Sequence, residues 1–373
     1  MFSALLRHRR HLAAAVSVLA LAVVVGACGT SNDKKTSSSG GGGGGSASGT
    51  VGLLLPESKT TRYEAFDRPL FTKKLKQLCS SCKLLYANAA QDATQQQSQA
   101  DSMLTQGVKV LVLDPVDGKA AQAIVNKAKG QNVPVVSYDR LASGPIDYYV
   151  SFDNQRVGQL QGQALLKELQ KGGDPKRGPI VMINGAPTDP NAAQFKKGAH
   201  SVLDGKVTIG KEFDTPDWTP DKAQTEAQAA ITALGKSKII GFYSANDGMA
   251  GGISAAIQQA GFSKFPPLTG QDAELAGIQR IVNGQQTMTV YKAIKPEAEA
   301  AAAMAFALVK GEKYPAADKT QNNGTADVPS QLLTPVEVTK SNIKDTVVKD
   351  GFYTVKQICT KQYAAACKKA GLQ

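Results

Sequence analysis

Polar residues in this 373-residue chain collect in short segments, each placed directly after an apolar, β-branched run. "VPVVSYDR" ends on Asp139 and Arg140, "PIVMINGAPTDPN" leads to Asp189 and Asn191, "KIIGFYSAND" closes on Asn246 and Asp247, and "PPLTGQDAE" carries Asp272. Carboxylates accept hydrogen bonds, a guanidinium donates in fixed directions and a primary amide does both. Together they suit a neutral molecule covered in hydroxyls. The only tryptophan, Trp218, stands in "TPDWTPD", whose prolines exclude a helix interior or a central strand. Its indole offers a flat apolar face for C–H groups and one N–H donor. Taken singly, Asp189, Asp247 and Asp272 also suit the N-cap of the helix that follows, and Trp218 also suits packing against a neighbouring loop. The weight rests on the set.

The elements that must hold these residues are legible as an alternation. Near-continuous apolar runs ("TVGLLLP", "KLLYANA", "VKVLVLDP", "VPVVSYD", "YYVSFDN", then "PIVMINGA", "VTIGKEF", "KIIGFYSAND", "PPLTGQD", "TMTVYKAI") alternate with amphipathic or alanine-rich segments. Strands apolar on both faces and separated by helices predict parallel sheets covered on both sides, so the fold class is α/β, doubly wound. "QDATQQQSQADSMLTQG" predicts a helix capped at Gly107, with its glutamines on a solvated face. "KPEAEAAAAMAFALVKGEK" predicts another, with Pro296 near its start and Glu297 and Glu299 complementing the dipole. About ten strands exceed one compact unit, and strand count alone puts a break near Asn154 to Gly158. In open α/β sheets ligands bind beyond the carboxyl ends of strands, where the polar segments lie.

Enzyme signatures are missing from the sequence. No G-x-S-x-G, P-loop or metal-binding histidine pair occurs, and the one histidine beyond the amino-terminal segment, His200, reads as a helical surface residue. No cofactor or metal is expected. The formal charge of +12 falls to +9 without the three arginines of the amino-terminal segment, and the lysines are scattered, which speaks against nucleic acid. That segment has Arg7, Arg9 and Arg10, then the apolar run Leu12 to Val25, then "GAC": a secretory signal over residues 1–27. "VVGAC" resembles the lipobox of bacterial lipoproteins, which implies lipidation of Cys28 and anchoring to the cell membrane. Residues 28–49, rich in Ser and Gly, predict a flexible tether with an end-to-end distance of roughly 25 Å.

Four cysteines remain in an exported setting that permits disulfides. Cys79 with Cys82 and Cys359 with Cys367 are the preferred pairs because each is close in sequence, contributing roughly 2 to 3 kcal/mol apiece. A redox CxxC and a four-thiolate zinc site are the competing readings.

The segments "YDR", "YYVSFDN", "SANDGMAGG", "TGQDAELAGIQRI", "TMTVYKAI", "NNGTADVPSQLLTP" and "NIKDTVVKDGF" resemble the D-xylose-binding proteins of bacterial ABC importers, a branch of the type I periplasmic binding proteins. The resemblance runs from about Val51 to Phe352. It implies two Rossmann-like lobes joined by a hinge, with a cleft between them. The amino lobe would comprise residues 51–155 and 293–333, and the carboxyl lobe residues 156–292 and 334–373, in place of a single break. It further implies sugar contacts at Arg62, Asp139, Arg140, Asp189, Asn191, Trp218, Asn246, Asp272 and Lys292. Tyr63 falls where the family has a second stacking tryptophan, a smaller aromatic face that leaves the choice of sugar open.

The expectation is a non-enzymatic extracytoplasmic receptor for a monosaccharide, D-xylose first. It would be monomeric, lipid-anchored and a donor of its ligand to an ABC permease. Alternatives are a sugar-sensing subunit for a receptor kinase, a xylo-oligosaccharide hydrolase and a LacI-like regulator, the last opposed by a signal where a helix-turn-helix should stand. The first prediction concerns Cys28: intact-mass analysis of membrane-fraction protein should find the mature chain starting at a lipid-modified Cys28. An unmodified thiol or a different start would refute it.

Overall fold

The structure, a computed structural model, describes residues 48–372. The first apolar run forms β1 (Thr50–Leu55), followed by α1 (Arg68–Leu78), β2 (Lys83–Asn88), α2 (Ala93–Thr105), β3 (Val110–Leu113), α3 (Gln122–Gly130), β4 (Val135–Tyr138) and β5 (Tyr148–Phe152). The five strands pair in parallel, and β1, β3 and β4 are buried on both faces because helices cover both. Asp92 caps α2, and Gly107 ends it at φ +75°, a left-handed turn where a side chain would be strained. The glutamines of α2 are not all solvated. Gln96 is buried, donating to the Asp114 carbonyl at 2.8 Å and accepting from the Val116 amide at 2.9 Å.

A second unit begins at α4 (Asn154–Lys171). It continues through β6 (Pro179–Asn184), α5 (Pro190–Leu203), β7 (Thr208–Asp214), α6 (Pro220–Leu234), β8 (Gly241–Ser244), α7 (Asp247–Gln259), α8 (Leu275–Asn283) and β9 (Met288–Tyr291). Here β7, β6 and β8 form a parallel three-stranded sheet. The strand expected in "PPLTGQD" is reduced to one bridge, Phe242 to Leu268, because Pro266 and Pro267 have no N–H to give a ladder.

The chain then returns through α9 (Ile294–Val309) to β10 (Lys319–Asn322) and β11 (Asp327–Leu333), which extend the first sheet to the order β10-β11-β5-β4-β3-β1-β2. It leaves again into β12 (Val336–Thr339), α10 (Val355–Ile358) and α11 (Ala364–Lys369). The β9 strand pairs antiparallel with β12 in a separate ribbon, and β10 is an antiparallel edge, so the sheets are not purely parallel. Crossings between the two units thus fall after β5, between β9 and α9, and between β11 and β12. Cys79 is bonded to Cys82 and Cys359 to Cys367, with Cα separations of 5.3 and 5.8 Å. The first follows α1 directly, and the second joins the end of α10 to α11, both of which pack against α8.

The helix α5, which carries Asn191 and Phe195, meets α4 almost backbone to backbone. A Cβ on Gly158 of α4 would lie 1.9 Å from the Phe195 carbonyl oxygen of α5, and one on Gly198 would lie 2.1 Å from that of Gln155. Backbone cannot yield as a flexible side chain can, so added carbon must push α5 away. Gly158→Ala should therefore destabilise the protein by about 1 to 3 kcal/mol in chemical denaturation. An unchanged midpoint would show that the helices separate without cost.

Candidate functional site

The carboxyl ends of the strands in both units converge on one cavity. All ten residues expected to face a ligand line it: Arg62 and Tyr63 after β1, Asp139 and Arg140 after β4, Asp189 and Asn191 after β6, Trp218 after β7, Asn246 after β8, then Asp272 and Lys292 flanking β9. Capping and lining prove compatible. Asp189 caps α5 through the Asn191 amide at 2.8 Å, and Asn246 caps α7 through the Met249 amide at 2.9 Å, yet both face the cavity.

Charge in the wall is paired. Arg62 donates to both oxygens of Asp67 (2.9 and 2.7 Å), to Asp139 Oδ1 (2.8 Å) and to Glu297 Oε2 (2.7 Å). These bonds occupy all but one of its N–H donors. Tyr138 donates its hydroxyl to Asp67 from behind. Lys292 Nζ lies 3.3 Å from Asp272 and 3.8 Å from Asp139. Burial by itself would raise Asp139, but Arg62, Lys292 and Arg140 outweigh it and hold the carboxyl at about 2. Burial likewise opposes the charge on Lys292, and Asp139 and Asp272 overcome it to raise the ammonium above its ordinary range.

Arg140 joins the two units. Its Nε lies 2.9 Å from Asp189 Oδ2 in an ion pair without hydrogen-bond alignment, while its terminal nitrogens donate to the Pro115 carbonyl and the Tyr63 hydroxyl at 3.2 Å. Burial pushes Asp189 above the usual carboxylate range, with Arg140 pulling against it. Behind Arg140, at 3.7 Å, is Asp114, fully buried with neither oxygen hydrogen-bonded; burial and then Asp139 drive its carboxyl far upward.

Trp218 is 7% exposed and donates its Nε1–H to Asp189 Oδ2 at 3.1 Å, edge-on to Phe195 at 6.3 Å between centroids. The ring lies directly over Gly185, where a Cβ would sit 1.9 Å from its outermost carbon. Asp217 and Trp218 both take left-handed φ, +59° and +57°, which turns the indole inward after β7.

Asp247 does not line the cavity. Its carboxylate accepts from Gln286, from the Thr289 hydroxyl at 2.8 Å and from the Glu274 amide at 2.9 Å, bracing the loop that presents Asp272. Cβ atoms on Gly270 or Gly277 would lie 2.0 and 2.3 Å from its oxygens, which accounts for both glycines of "TGQDAELAG". His200 is also remote from the cavity, held between Asp204 at 2.8 Å and Glu212 at 3.0 Å.

Sequence reasoning missed Thr60, Phe195 and Gln271, which complete the lining. Phe195 stands one helical turn beyond Asn191, a spacing that puts both on one face of α5. Gln271 adjoins Asp272 in a segment already singled out. Glu297, read as a dipole complement, is instead fully buried against Arg62. Cys28 lies outside the described residues.

Comparison with known proteins agrees with this geometry. The family model for a periplasmic binding protein domain matches residues 51–313. The chain is 39% identical over 309 residues to the D-xylose-binding periplasmic protein of Escherichia coli K12, covering 81% of this chain and 90% of that protein. It is 33% identical over 331 residues to a multiple sugar-binding periplasmic receptor of Rhizobium radiobacter, covering 83% and 92%. Among solved structures, an ABC transporter solute binding protein from Clostridium phytofermentans with bound β-D-glucose superimposes with TM-score 0.77 at 28% identity, covering 83% of this chain and 99% of that one. With its α/β lobes of type I topology, the chain belongs to the periplasmic binding protein family and is a substrate-binding protein, not an enzyme.

Proposed function

We propose that the protein is an extracytoplasmic receptor that encloses one monosaccharide, D-xylose in first place, between its lobes and delivers it to the permease of an ABC importer. The observation that carries this reading is the charge balance of the cavity wall. Arg62, Arg140 and Lys292 each face carboxylates within 2.7 to 3.8 Å, so neither an anion nor a cation finds an unpaired counter-charge. What remains on offer is hydrogen bonding plus the aromatic faces of Trp218, Phe195 and Tyr63, which suits a neutral polyol with an apolar face. The relatives named for D-xylose support the pentose, while Tyr63 and the glucose-bound neighbour favour testing hexoses beside it.

Delivery would follow from closure. Residues from both units touch the same cavity, so a sugar gains its full set of hydrogen bonds only when the lobes are together, and binding shifts the population to that state. Lobes of residues 51–155 with 293–333, and 156–292 with 334–373, and an anchor on Cys28, belong to this proposal. Sensing through a membrane receptor is the second reading, favoured by the relative named as a receptor. A hydrolase of xylo-oligosaccharides is opposed by the relatives and structural neighbours, which are named as binding proteins.

Calorimetric titration with xylose, arabinose, ribose, glucose and galactose tests the reading, and failure to bind any of them would sink it. Trp218 is the only tryptophan, so its emission should change with the sugar that binds and with no other. Trp218→Ala should weaken binding by about 1 to 3 kcal/mol, measured on the folded fraction because the indole is also packed in the core, and Asp272→Ala should weaken it comparably. Gly185→Ala should lift the indole and weaken binding with Trp218 still in place; equal affinity for this variant and the wild type would show that indole position is irrelevant.

A further inference from the structure

The polar side chains of the cavity wall divide by what else they do. Arg62, Arg140, Asp139, Asp189, Asn191, Asn246, Asp272 and Lys292 each have a protein partner: an ion pair, a cap or a bond to a carbonyl. Tyr63 and Trp218 likewise engage Arg140 and Asp189. Gln271 is the exception among the buried lining residues. It is 2% exposed, and its Oε1 is shielded with no hydrogen-bond donor among the described residues. Its backbone carbonyl accepts the Asp247 amide at 2.9 Å, so the loop is held independently of the side chain.

A buried amide oxygen left without a donor costs free energy, commonly about 1 to 3 kcal/mol. The neighbouring side chains do not relieve that cost: Asp272 is engaged with Lys292, and Asn246 caps α7. Deep burial without a partner is the pattern of a group whose partner comes with the ligand. We infer that Gln271 is a direct ligand contact, its amide bonding a hydroxyl of the bound monosaccharide.

This deepens the sugar-binding reading and rests on it. An amide both accepts and donates, so it can bond a hydroxyl in either sense, whereas an ionised carboxylate only accepts. Gln271 would thus read hydroxyl placement on the ring, while the charged residues, already committed to one another, set the frame.

The test pairs Gln271→Leu and Gln271→Met with the wild type, each titrated with D-xylose and with a series of deoxy-xyloses that each lack one hydroxyl. Both variants keep the volume of the side chain and remove the amide, and thermal melts establish that they are folded. The expected result is at least a tenfold loss of xylose affinity in both variants. In addition, one deoxy-xylose that binds the wild type poorly should bind the variants no worse than xylose does, because the hydroxyl and its partner are then both gone. If both variants bind xylose like the wild type, or if every deoxy-xylose loses the same factor in variants and wild type, the contact is refuted while the sugar reading stands. If the wild type itself binds no xylose, the pentose assignment falls and the contact falls with it.

Discussion

The site depends on one constraint: charges out of contact with water must be neutralised where they stand. Arg62, Arg140 and Lys292 are each about 4% exposed or less, a condition that is tolerable only when carboxylates surround them. Asp67 and Glu297 therefore belong to the site although neither lines the cavity; they hold the Arg62 guanidinium in one plane, which fixes Asp139 in turn. The Glu297 contact also ties α9, which arrives after the second crossing, to the loop that follows β1. A network that spans so many elements turns a set of loops into a rigid wall, and rigidity is what allows hydroxyl geometry to be discriminated.

The two halves of the network meet through Arg140 and Asp189, and through Asn191, which donates to the Asp139 carbonyl at 3.1 Å. These bonds join residues that follow β4 to residues that follow β6, so the association of the lobes is built from the side chains that line the cavity. Aromatic packing adds to it away from the cavity: Phe66, in the turn before α1, stacks on Phe352 at 4.3 Å, and Phe352 in turn packs against Tyr291 at the end of β9.

Much of this was legible in the sequence, for identifiable reasons. Strands buried on both faces announce themselves as unbroken apolar runs, and loops at their carboxyl ends are short enough that Asp139, Asn246 and Asp272 had to lie near one another. What stayed hidden was polar chemistry inside regular structure. Glu297 and Gln96 sit on helices where Glu and Gln usually meet water, and only tertiary packing reveals that those faces are covered. The strands β10 to β12 carried little signal: β10 and β12 are four residues each, and β11 is interrupted by Pro329. Asp247 misled because its place after a strand equals that of a ligand contact, whereas the approach of Gly270 and Gly277 makes it a brace.

The left-handed backbone at Asp139 (φ +55°) and Asp272 (φ +87°) bears on how such a protein can change. An L-residue in that region holds strain of about 1 kcal/mol or more, which glycine relieves. At both positions, then, the backbone favours glycine and the cavity requires a carboxylate. Glycine there would relieve the strain but leave the buried Arg62 and Lys292 short of counter-charge, a loss of about 3 kcal/mol or more that outweighs the gain. The strained turns are thus locked by the cations they neutralise, and the same two carboxylates that shape the cavity hold the backbone in a conformation it would otherwise leave.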